Sequence, residues 1–140
     1  MLKTIFAVAA LAVSLIFTGS AAAAPNMQDG KWEITSRTEI EGMPMNMPPY
    51  KYTLCLTKQN AVPQKQEKNE ECKMTESRVV GDTIFWTVQC RTKEGSTEGK
   101  GKITYKGNSF DGIFTMTGKE GGEKINIKNH MSGKRIGECK

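Results

Sequence analysis

Histidine is nearly missing from this chain: His130, between Asn129 and Met131, is the only one in 140 residues. One imidazole can serve a catalytic triad, but no serine sits in a Gly-x-Ser-x-Gly elbow to be its partner. There is no Cys-x-x-Cys pair either, which argues against a zinc knuckle or a thioredoxin-type centre. The glycine-rich stretches 95–101 and 118–122 lack the Gly-Lys-Ser/Thr ending of a phosphate loop and read as hairpin connections. The acidic pairs Glu39-x-Glu41 and Glu70-Glu71 lie in polar stretches where solvated carboxylates are ordinary. These gaps predict a protein that is not an enzyme and holds no organic cofactor.

Blocks of like charge are also lacking. Twenty Lys and Arg face fifteen Asp and Glu, for a net charge of +5. The basic residues are scattered, as in Lys100-Gly-Lys102 and Lys124-Ile-Asn-Ile-Lys128, so nucleic acid is not an expected partner. A weak attraction to an anionic membrane surface or polysaccharide is compatible with the excess charge.

Long apolar runs are confined to the start. Met1-Leu2-Lys3 is followed by apolar and small residues through Leu15-Ile16-Phe17, then Thr18-Gly19-Ser20 and four alanines before Pro25. A basic end, an apolar middle and small residues at a cut are the parts of a secretory signal. The apolar core, roughly 13 residues, is short of the about 20 that a membrane-spanning helix needs. We expect a signal helix over residues 1–23, cleaved after Ala23, and one exported domain over 24–140, periplasmic or secreted and not membrane-spanning. Loss of Lys3 lowers the net charge to about +4.

All four cysteines, Cys55, Cys72, Cys90 and Cys139, lie in the exported part. An even number in an oxidising compartment predicts two disulfides. The preferred pairs are Cys55–Cys72, closing the connection between two strands, and Cys90–Cys139, tying the tail to a central strand. The alternative is Cys72–Cys90 across a hairpin turning at Gly81, with Cys55–Cys139.

Helical periodicity is scarce after residue 24, and two-residue alternation recurs between turn signals, which predicts antiparallel β structure. Trp32 and Ile34 share one face of a first strand, and Tyr50–Thr57 forms a second carrying Cys55. Cys72–Val80 and Thr83–Arg91 form a hairpin about Gly81-Asp82, with Ile84, Trp86, Val88 and Cys90 on one face. Ile103 and Tyr105, then, after a tight-turn signal at Gly107-Asn108, Phe110, Gly112, Phe114 and Met116, and finally Ile125, Ile127, Asn129 and Met131 continue the pattern. The expected fold is all-β: an antiparallel up-and-down sheet of about seven or eight strands, curling into a half-open barrel or sandwich. Such a barrel has room for a small apolar ligand at its mouth, with Trp32, Trp86, Phe110 and Phe114 as cavity candidates.

Several segments together resemble a family of small exported bacterial proteins, domain-of-unknown-function family 3617. They are Gly30-Lys31-Trp32-Glu33, Gly42-Met43-Pro44, Tyr52-Thr53-Leu54-Cys55-Leu56-Thr57, Trp86-Thr87-Val88-Gln89-Cys90, Gly101-Lys102-Ile103-Thr104-Tyr105, Ser109-Phe110-Asp111-Gly112 and Gly133-Lys134-Arg135-Ile136-Gly137-Glu138-Cys139. The resemblance spans essentially the whole exported chain. It implies a bacterial, periplasmic protein and brings no activity or catalytic residue with it.

Three prolines exclude residues 41–50 from a central strand, leaving an extended loop with Met43, Met45 and Met47 at alternate positions. Thioethers are soft ligands suited to Cu(I), and His130-Met131 would add to them if the fold brought that strand near. Two other readings stand beside copper: an adaptable apolar lid over the barrel mouth, and a recognition loop that proline holds extended. The expected function is therefore binding, of a small apolar ligand or an envelope partner. A periplasmic Cu(I)-binding protein is the alternative.

Overall fold

The computed structural model describes residues 24–43, 47–64 and 71–140. The expected signal helix lies outside the described residues. Seven strands follow in sequence: β1 (Gly30–Ile40), β2 (Tyr50–Leu56), β3 (Glu71–Val80), β4 (Thr83–Thr92), β5 (Gly95–Tyr105), β6 (Ser109–Glu120) and β7 (Glu123–Gly137). All belong to one antiparallel sheet in the order β2-β1-β7-β6-β5-β4-β3. β3 to β7 form a meander of consecutive hairpins, and β1 docks on β7 with β2 outside it. The expected turns are present, with Gly81 (φ 59°) between β3 and β4 and Gly107 (φ 74°) between β5 and β6.

Among the described residues the sheet has one apolar face and no second layer to cover it, and it curls upon itself. Trp32 on β1 and Tyr105 on β5 are three strands apart, about 14 Å in a flat sheet. Their ring centroids are 5.6 Å apart, edge to face. Phe110, from β6 between them, lies 5.6 Å from Trp32 and 5.4 Å from Tyr105. Together with Ile34, Leu56 and Ile103 these rings are the most deeply buried side chains. β2 and β3, the two edges, do not pair with each other. The half-open barrel expected from the alternation is therefore an open, curled sheet.

Glycine makes the tight curl possible. The stretch 95–101, expected to be a connection, instead forms the first half of β5, where Gly99 and Gly101 lie under the Phe114 and Trp86 rings. A Cβ on Gly101 would come within 2.0 Å of the Trp86 ring, and one on Gly133 within 2.0 Å of the Phe110 ring. The rings thus pack directly on neighbouring backbone, as aromatic residues do over strand glycines in curved sheets.

One end of the curl is plugged. The chain leaving β2 crosses the inner face, where Ala61, Val62 and Pro63 are buried, and the Tyr105 hydroxyl donates to the Ala61 carbonyl. The segment before β1 closes the same end: Met27 is buried and bridges to Gly107, and the Trp32 indole donates to the Gln28 carbonyl at 3.2 Å.

The disulfides are Cys55–Cys139 and Cys72–Cys90, which corrects the preferred pairing. Cys55 lies on the edge strand β2 and Cys72 on the opposite edge strand β3, so a bridge between them would have to span the open side. Cys90 on β4 is separated from β7 by β5 and β6, beyond the roughly 7 Å Cα limit for a disulfide. Cys72 is instead the direct cross-strand partner of Cys90, Cα to Cα 4.0 Å. The tail beyond β7 runs back over the start of β1 to Cys55, Cα to Cα 5.8 Å.

Two predictions follow from this packing. Gly101→Ala forces the Trp86 ring away from the β5 backbone and should destabilise the fold by about 1–3 kcal/mol, read as a lower urea midpoint; an unchanged midpoint refutes the packing. Burial raises the Tyr105 phenol well above its ordinary 10.0. The folded chain then keeps a proton that the unfolded chain loses above about pH 10, so this group leaves stability unchanged below that pH. Above it, stability falls by about 1.4 kcal/mol per pH unit. Tyr105→Phe should cost about 1 kcal/mol at neutral pH and flatten the alkaline decline; a decline as steep as in the unsubstituted chain argues against the burial.

Candidate functional site

Register divides the inner face into successive rungs, running from the plugged end to the open one. The deepest joins Ile34, Gly133, Phe110 and Tyr105. Next come Ser36, Met131, Gly112, Ile103 and Ile84. Then Thr38, Asn129, Phe114, Gly101 and Trp86 follow, with Ser77 at the far edge. The outermost complete rung is Ile40, Ile127, Met116, Gly99, Val88 and Met74, apolar across six strands.

Along β1, β6 and β7 burial falls in the same direction, while Val88 and Gly99 on β4 and β5 stay buried. Side chains of the deepest rung are almost inaccessible, whereas Phe114, Met116, Ile125, Ile127 and Ile40 are only half-buried and Met74 is exposed. The result is a trough with an aromatic floor at one end and an apolar mouth at the other. Its polar content is small and internally satisfied: the Ser36 hydroxyl lies 2.8 Å from Asn129 Oδ1, and Asn129 Nδ2 donates to Thr38 Oγ1 at 3.3 Å. No charged side chain is buried among the described residues.

The four cavity candidates are brought onto this face in two groups. Trp32 and Phe110 belong to the plugged floor, and Trp86 stacks on Phe114, 6.1 Å between centroids and 8° between planes. Trp32, Trp86 and Phe110 fill the interior; Phe114 alone reaches toward the mouth. Sequence reasoning passed over Ile40 and Ile127 as site residues. Their signal was the cross-strand register, which alternation within one strand does not contain.

The methionine loop joins β1 to β2 at this open end, next to Ile40. Met43 and Met47 are exposed, by 56% and 37%, so neither is packed down as a buried lid. Met45 lies outside the described residues. At the end of the loop Tyr50 is exposed and stacks on Tyr52, 5.7 Å between centroids. Burial, followed by the nearby Tyr50, raises the Tyr52 phenol. His130 and Met131 do not act as a pair. Strand alternation sends Met131 to the buried inner face and His130 to the outer one, where its Nε2 lies 3.5 Å from Glu39 Oε1.

The outer face carries a depression of about 560 Å³ lined by Thr35, Arg37, Glu39, Lys102, Thr104, Asp111, Ile113, His130 and Ser132, with Gly112 and Met131 at its base. None of the four aromatic candidates lines it. Its charges are of both signs, and Asp111 is paired with Lys106 at 3.0 Å. Among the described residues there is no group of three or more His, Cys, Asp or Glu placed to hold a metal, and no helix long and apolar enough to cross a membrane.

Comparison with curated proteins and comparison with solved structures each returned no match. A family model described as "Protein of unknown function (DUF3617)" matches residues 27–139, from the methionine that closes the plugged end to the last cysteine. The match takes in all seven strands and both disulfides, and the chain belongs to the DUF3617 family.

Proposed function

We propose that this chain is an exported, periplasmic or secreted, non-catalytic binding protein that receives an elongated apolar group in the mouth of its trough. The observation that carries this reading is the outermost rung, an apolar band six strands wide in which Ile40, Ile127 and Met116 are half-buried and Met74 is exposed, beside a loop with two exposed methionines. A ligand covering the half-buried Ile40, Ile127 and Met116 gains for each the remaining part of the roughly 1.5–3 kcal/mol that full burial of a large apolar side chain gives. Two disulfides fit an oxidising compartment. The bound group is either the hydrocarbon part of a small molecule or an apolar side-chain cluster of an envelope partner.

Cu(I) binding is a second reading, favoured by the exposure of the Met43 and Met47 thioethers in one short connection. Leucine keeps their apolar volume and loses the sulfur, so one set of variants separates the two.

A polarity-sensitive naphthylamine probe titrated into the full chain should bind with a blue-shifted emission. Met116→Glu and Ile127→Lys, at the mouth, should weaken it at least tenfold, while Ile113→Lys on the outer face should not. Equal binding by all three variants, or no binding by the unsubstituted chain, would end the trough reading. In the triple variant Met43→Leu, Met45→Leu, Met47→Leu, probe binding should persist. A stoichiometric Cu(I) titration of the unsubstituted chain that vanishes in this variant would establish the copper reading instead.

A further inference from the structure

β3 differs from every other strand in that all ten of its residues are exposed. It is an edge strand, paired to β4 on one side only. Three large exposed apolar side chains, Met74, Val79 and Val80, are concentrated on it. An apolar strand at the edge of a sheet is a template for another strand. None of the ion pairs among the described residues involves its charged side chains.

Those charges are arranged in order. Thr75 forms a bulge between Met74 and Glu76, and its hydroxyl donates to the Thr87 carbonyl at 3.4 Å. The bulge resets the alternation, so Glu71, Lys73, Glu76 and Arg78 all project to the outer face, opposite Arg91, Gln89, Thr87 and Phe85 of β4. Along the strand the signs run minus, plus, minus, plus. Such a sequence is self-complementary when two copies lie antiparallel.

We propose that β3 is a homodimer interface, in which two copies pair β3 edge to edge about a two-fold axis beside Thr75. In this register Glu71 faces the partner copy's Arg78, and Lys73 faces the partner copy's Glu76. The two-fold repeats both, giving four cross-strand ion pairs on one face. A bulge in each copy at the same place keeps the residue count equal across the axis. Sliding the strands by two residues either way opposes Lys73 to Arg78 or Glu71 to Glu76, so charge selects one register. The other edge offers no equivalent: Lys51 is the single charged residue of β2, and it is paired with Glu33 at 3.5 Å. Pairing a single strand covers well under the roughly 1,200 Å² of a standard interface. Association is therefore weak and concentration-dependent, and joins two curled sheets into one continuous sheet.

Sedimentation velocity over a concentration series, with both disulfides formed, tests this. The unsubstituted chain should pass from monomer to dimer. Glu71→Lys with Glu76→Lys should raise the dimer dissociation constant about tenfold or more. Adding Lys73→Glu and Arg78→Glu, which swaps all four signs, should restore it. In a mixture of isotope-labelled and unlabelled chains, a zero-length carbodiimide should link Lys73 of one copy to Glu76 of the other. A monomer up to millimolar concentration, a double variant that associates like the unsubstituted chain, or inter-copy links mapping to β2 would overturn the proposal. Because the four side chains lie on the outer face, probe binding in the trough should survive the swap, so the two readings fail independently.

Discussion

A lone sheet with one apolar face must bury that face against itself, and every other feature of this chain is arranged around that constraint. Curling brings Trp32, Phe110 and Tyr105 from three different strands into mutual contact. Contact that close requires rings to lie on backbone, which is why glycine recurs on the inner face at Gly99, Gly101 and Gly133. Ring burial and strand curvature are thus one interaction seen from two sides.

The curl is completed at one end only. Met27, Ala61, Val62 and Pro63 seal the end where Tyr105 reaches the Ala61 carbonyl. At the other end the apolar pattern runs on for two further rungs with nothing laid across it among the described residues. A gradient from packed floor to half-buried mouth results, and the same alternation that builds the core also builds the candidate site.

An open sheet leaves two edges, and each disulfide holds one of them. Cys72–Cys90 ties β3 to β4, and Cys55–Cys139 ties β2 to the tail beyond β7. Edge strands have neighbours on one side only and are the first to fray, so a crosslink there restrains the least supported backbone. Both bonds suit an oxidising environment. With its near side fixed, β3 carries an ordered row of alternating charges on its outer face.

Much of the fold was legible in the residues themselves. Period-two runs such as Ile84-x-Trp86-x-Val88-x-Cys90 declare a strand and its buried face, since side chains of a strand must alternate. Gly81 and Gly107 declare turns, and the segments that carry the family resemblance are spread over the same strands. The glycine stretch 95–101 was misread because a strand glycine and a loop glycine look alike until the ring above it is known. The candidate site was only partly legible: Met43 and Met47 were visible as a motif, whereas Ile40, Ile127 and Met116 form a band only across strands.

By itself, then, the sequence determined the all-β class, the turns at Gly81 and Gly107, the apolar face of the strands with clear alternation and that the cysteines pair. Tertiary structure alone decided which cysteines pair, which end is plugged, which aromatic rings fill the interior and that His130 and Met131 face opposite ways into different surroundings. The physical reason is one of range. Alternation and turn chemistry act between neighbours along the chain, while strand order and curl set the distances between residues far apart in it. Cys55 and Cys72 are the plainest case: neighbours among the cysteines in sequence, they end on opposite edges of the same sheet.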